Sequence, residues 1–158
     1  MKKWIIIISI AVVILIGLAA NVYLNALKPV KAAEQKAAAI ANAKTDLQSI
    51  KDFSIFNGDE TYYVVKGTNS KNEKTIVWIP EKGGEILERK EAEGISREEA
   101  INKVREEKNP EKILSVRLGM VDNQPAWEIY SQSESGLINY YYLDFDTGEE
   151  WLTVIENL

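Results

Sequence analysis

The chain has 158 residues, 46% hydrophobic and 27% charged, with no Cys, no His and a formal net charge of −5. The two missing residue types exclude a disulfide framework, a thiol nucleophile, a Ser-His-Asp relay and the common zinc, haem and non-haem iron sites. The acidic balance argues against nucleic acid as a partner.

Residues 4–24 carry no charge. A helix over them covers about 31 Å, roughly one hydrocarbon core, at about 1.5 Å per residue. Lys2 and Lys3 precede this run. The positive-inside rule therefore predicts a cytoplasmic tail at 1–3, a single-pass helix in contact with membrane lipid at 4–24, and an extracytoplasmic remainder. Trp4 and Tyr23 are placed as interfacial anchors. The competing reading is a cleavable signal peptide. Gly17-Leu18-Ala19 is a weak cleavage site for one, and the apolar run is longer than a signal's core. All 24 acidic residues and all but two of the 19 basic ones lie beyond the span. Such a surface should not adhere to anionic lipid or wall polymer by charge alone.

Residues 31–50 are rich in the helix formers Ala, Lys and Gln. Ala33, Ala37, Ile40, Ala43, Leu47 and Ile50 form one apolar stripe at helical spacing. Strands are predicted at 53–56, 61–67, 74–80 and 85–88, with turns at Asn57-Gly58 and Gly83-Gly84. A second helix starts at Ser96, where Ser96 and Glu99 have the spacing of a capping box, and stops at Asn109-Pro110. Four more strands follow at 112–120, 126–132, 137–145 and 149–155.

The order of helix and four strands thus occurs twice. An ungapped alignment of the halves lays Tyr62 on Trp127, Val64 on Ile129, Ile76 on Tyr141, Gly83 on Gly148, Ile86 on Trp151 and Leu87 on Leu152. The fold expected is α+β: a transmembrane helix, then two tandem helix-plus-antiparallel-sheet units at 28–90 and 95–158. Units this small are marginal alone, so the two should pack together. Tyr62/Val64 and Trp127/Ile129 alternate correctly for the sheet faces that cover the helices. The opposite faces would carry Tyr63, Val65, Tyr130, Tyr140 and Tyr141. These five are the candidate partner-binding residues, because an apolar sheet face left open marks an interaction site. The competing expectation is that most of this face is buried between the units.

Chemistry has little to work with. Asp144 and Asp146 share a strand face and suit a cation or an acid–base pair. The better reading is a turn, in which Asp146-Thr147-Gly148 supplies an acceptor and a positive-φ glycine. Ser131, Ser133 and Ser135 lie around a polar hairpin without a nucleophile elbow. No catalytic residue, cofactor site or metal site is expected. The Ala-rich first helix suits close packing, either on its own sheet or on another membrane protein.

Two stretches, Pro125-Ala126-Trp127-Glu128-Ile129-Tyr130 and 141–149 (YYLDFDTGE), resemble a PepSY domain, a cystatin-like arrangement. The order of lysines, apolar span, Ala-rich helix, YYVVKG, IVWIP and PepSY unit resembles the YpmB/TseB-like family across the chain. That resemblance implies a membrane-anchored regulator of cell wall elongation in Gram-positive bacteria. It also implies association with a penicillin-binding protein, the elongation transpeptidase. PepSY domains elsewhere imply an alternative, an extracellular peptidase inhibitor or peptide-binding module. The resemblance implies no catalytic residues.

Overall fold

The computed structural model describes residues 2–156. Residue 1 of the expected tail and residues 157–158 of the expected second unit lie outside the described residues. Helix α1 runs over Lys2–Lys44 without a break and contains Pro29. The span and the Ala-rich segment, expected as separate helices, are therefore one. Good helix formers on both sides carry the helix past the one backbone donor that Pro29 lacks. Taken alone, the stretch Met1–Lys36 is a unit. Leu15, Ile16, Leu18, Val22 and Leu24 along it are exposed. A helix with exposed apolar side chains all round suits lipid, and its composition is that of a membrane anchor or a signal sequence.

The stretch Ala37–Leu158 is the second unit. The last turns of α1 lead into β1 (Leu47–Asn57), β2 (Thr61–Asn69), β3 (Lys74–Pro80) and β4 (Leu87–Lys90). A short 3-10 turn (Glu91–Glu93) and α2 (Arg97–Lys108) follow. The chain ends in β5 (Lys112–Val121), β6 (Gln124–Gln132), β7 (Ile138–Asp144) and β8 (Glu150–Glu156). Each set of four strands forms an antiparallel sheet in sequential order, β1-β2-β3-β4 and β5-β6-β7-β8.

Local chemistry explains where the elements stop. The Thr45 hydroxyl donates to the Ala41 carbonyl at 2.8 Å, and Asp46 accepts from the Ser70 hydroxyl. Helix α1 therefore ends at Lys44, and Leu47 and Ile50, expected on its stripe, pass into β1 opposite Asn69 and Gly67. Ser96 caps α2 by accepting from the Glu99 amide, while the Ser96 amide donates to the Glu99 carboxylate at 2.7 Å. This reciprocal pair holds the Glu99 carboxyl below its usual range, the bond from the Ser96 backbone being the larger cause. Asn109 closes the helix in the left-handed conformation.

One expectation is corrected by the ladder. In the first sheet Tyr63 pairs with Ile79 and Val65 with Val77; in the second, Trp127 pairs with Leu143 and Ile129 with Tyr141. Carried along both strands, the alignment of Tyr62 with Trp127 would pair Trp127 with Phe145, whereas the ladder pairs it with Leu143, so that ungapped alignment does not hold through both strands. Tyr62, Val64, Ile76 and Trp78 lie in a core shared by both sheets, together with Trp127, Ile129, Tyr141, Leu143 and, from α2, Ala100 and Val104. Trp78 meets Phe145 edge-on at 5.5 Å. The Trp127 indole donates to the Ile95 carbonyl at 3.0 Å, tying β6 to the segment that enters α2. Tyr63, Val65, Val77 and Ile79 occupy the other face of the first sheet and are buried as well. Ala37 and Ala41 of the last α1 turns are fully buried outside the shared core.

The sheets meet where β1 and β2 lie against β5. Phe56, at the end of β1, stacks over Gly119 of β5 with no room between them. The Arg117 guanidinium sits 5.5 Å from the centre of the same ring. Tyr62 reaches Asn123 in the β5–β6 turn.

Candidate interaction surface

Residues directly opposite one another in a ladder share a sheet face. On the face of the second sheet opposite Trp127 and Ile129, one row holds Ser115, Tyr130, Tyr140 and Val154. The next row holds Arg117, Glu128, Tyr142 and Leu152. The Tyr130 and Tyr140 rings stack at 4.8 Å. Leu152 is 41% exposed and Val154 39% exposed. Trp151 is also exposed, at the irregularity in the β7–β8 ladder. Among the described residues strand β8 pairs with β7 alone, which leaves its second edge open. An edge with four consecutive exposed residues, three of them large and apolar, is a surface that soluble proteins ordinarily blunt.

Beside this apolar strip lies a buried charge. Glu128 is only 4% exposed. Its Oε1 accepts from Arg117 Nε at 2.8 Å and its Oε2 from the Tyr142 hydroxyl at 3.1 Å. A carboxylate removed from water needs such partners, since its desolvation costs several kcal/mol, on the order of what pairing returns. The Tyr142 phenol is pushed up to about 12, first by burial and then by the Glu128 charge. An alkaline absorbance titration of the full-length chain should show one phenol ionising near that pH, and Glu128→Gln should bring it partly back. The linkage sign is fixed. The unfolded phenol ionises first, near 10, so Tyr142 contributes stability fully below that pH and loses it as pH climbs towards 12.

The structure divides the five sequence candidates. Tyr130 and Tyr140 lie on this outer face, half-buried. Tyr63, 4% exposed, and Val65 are buried on the face of the first sheet opposite Tyr62 and Val64, where the Tyr63 hydroxyl donates to Glu81 at 2.8 Å. Tyr141 is buried in the shared core with the Lys108 ammonium over its ring. The expected five-residue face is therefore not a single surface. What sequence reading missed is Leu152, Val154 and the Arg117–Glu128 pair. Alternation along 150–156 and opposite charges facing across β5–β6 were the available signals. Asp144 belongs to a turn: its carboxylate accepts from the Thr147 amide at 2.7 Å, and Gly148 has φ 72°. Ser133 and Ser135 bond each other at 2.9 Å in their hairpin.

Comparison with known proteins is consistent from three directions. A family model described as a cell wall elongation regulator TseB-like domain matches residues 36–80. The probable cell wall elongation regulator TseB of Bacillus subtilis (strain 168) is 34% identical over 131 residues, covering 82% of this chain and 81% of that protein. Among solved structures, the YpmB protein from Bacillus subtilis superposes with a TM-score of 0.74 at 34% identity. That match covers 77% of this chain and 96% of the other.

Proposed function

We propose, from the premise that this chain belongs to the TseB-like family of cell wall elongation regulators, that it regulates elongation by contact and not by catalysis. In this reading residues 4–24 are an uncleaved single-pass anchor, Lys2 and Lys3 lie in the cytoplasm, and the folded unit works outside. Its partner is an elongation transpeptidase of the penicillin-binding class. The observation that carries the reading is the outer face of the second sheet, where the Tyr130–Tyr140 stack, Leu152 and Val154 run out to an unpaired strand edge. A rigid aromatic and aliphatic strip beside a fixed ion pair is the composition of a contact surface.

Photo-crosslinking from position 140 or 152 of the full-length chain in its native membrane tests this. The expected product is an adduct with the transpeptidase, absent when the crosslinker is moved to exposed Lys82. Adducts of equal yield from both places, or none with a wall-synthesis enzyme, would count against it. The open edge of β8 also favours a second reading, a PepSY-type module that binds extended peptides or an extracellular peptidase by strand addition. This reading requires the full-length chain in detergent to slow such a peptidase, with the effect lost when β8 carries a proline at Thr153.

A further inference from the structure

A cleft of about 550 Å³ lies between β2, β3, the 90–92 segment and the first turn of α2. Its floor is apolar, made by Ile76, Trp127 and Phe145. Four basic side chains converge on it although the chain as a whole is acidic. Two of them are neutralised in place, Lys74 by Glu91 at 3.4 Å and Lys90 by Glu73 at 2.9 Å. The other two are Lys66, whose ammonium lies 5.3 Å from the centre of the Trp127 ring, and Arg97. Among the described residues neither is salt-bridged to a carboxylate. Glu98 is the one further acid in the lining, so the cleft keeps an excess of positive charge over an apolar floor. The end of α2 does not supply the anion site, because Ser96 and Glu99 already cap it.

We propose that this cleft binds the C-terminal carboxylate of a short peptide. Arg97 offers the planar fork that matches a carboxylate, Lys66 a second cation, and the accessible Ala92 and Ile95 an apolar surface for the last residues. The volume falls in the range of small-ligand sites. A single carboxylate matches the small excess of positive charge, whereas a dianionic phosphate would also meet Glu73, Glu91 and Glu98. The cleft is distinct from the outer face of the second sheet, and the proposal holds or fails independently of any transpeptidase contact.

The test is calorimetric titration of the full-length chain in detergent with N-acetyl-trialanine, its C-terminal amide and inorganic phosphate. The free acid should bind at least about 10-fold more tightly than the amide or phosphate, a difference of roughly 1.4 kcal/mol. Lys66→Gln and Arg97→Gln should each weaken the acid by a similar factor, with the thermal midpoint unchanged. Equal binding of acid and amide, tighter binding of phosphate, or no heat from the acid at about 10 mM would overturn the proposal. If one variant lowers the thermal midpoint, the acid–amide difference in the unaltered chain still decides.

Discussion

Gly119→Ala should lower the stability of the folded unit by about 3 kcal/mol, seen as a fall of roughly 10 °C in Tm. A Cβ at Gly119 would lie closer than 3.0 Å to three atoms of the Phe56 ring. That ring is buried and has the Arg117 guanidinium nearby, so it has nowhere to retreat. This contact joins the end of β1 to β5, and through it the two sheets share one core. Circular dichroism melting of the full-length chain in detergent reads the effect. The double variant Gly119→Ala/Phe56→Leu separates sterics from any general intolerance at position 119. Trimming the ring should recover much of the loss, so the two changes should couple by more than about 1 kcal/mol. A Gly119→Ala protein within about 0.5 kcal/mol of the parent would show that the sheets are not locked through this contact.

The second large effect concerns the ion pair on the outer face. Arg117→Ala leaves the Glu128 carboxylate buried against Tyr142 without its cation. The expected cost is about 2 to 3 kcal/mol, below the upper range for a fully buried pair because the Arg117 side chain is 43% exposed and water softens the loss. Removing both charges with Arg117→Met and Glu128→Leu should cost much less than Arg117→Ala alone, since no unpaired charge remains. Denaturant midpoints at constant slope give these differences. If the single and double variants are equally destabilised, packing by the Arg117 stem and not the buried charge accounts for the loss.

Much of the architecture could be read from local signals. The uncharged run at 4–24, the Ser96–Glu99 cap, the Asn109-Pro110 stop and the turn glycines each act within a few residues, and each stands in the structure where its chemistry requires. The boundary of α1 was harder. Leu47 and Ile50 fit a helical stripe by spacing, yet Thr45 and Asp46 take up bonds that close the helix before them. Faces were harder still. Runs such as Tyr62-Tyr63-Val64-Val65 are apolar on both sides, so alternation cannot say which residues meet the helix. Only the packing decides, and it gathers Tyr62 and Val64 with Trp127, Ile129 and the α2 residues Ala100 and Val104, leaving Tyr63 and Val65 on the other face. The same ambiguity scattered the candidate surface: Tyr140 and Tyr141 are neighbours in sequence but belong to opposite faces of one sheet. Leu152 and Val154 escaped notice because their importance comes from lying on an edge strand, which depends on strand order.

The outer face of the second sheet is the proposed contact surface. Its most direct test is the affinity of the full-length chain, held in nanodiscs, for the purified elongation transpeptidase of the same organism. Leu152→Glu and Tyr140→Ala are compared with the parent at matched thermal midpoints. The parent should bind, and each variant should weaken binding at least about 10-fold, roughly 1.4 kcal/mol. Parent and variants binding alike, or a parent that does not bind, would contradict it.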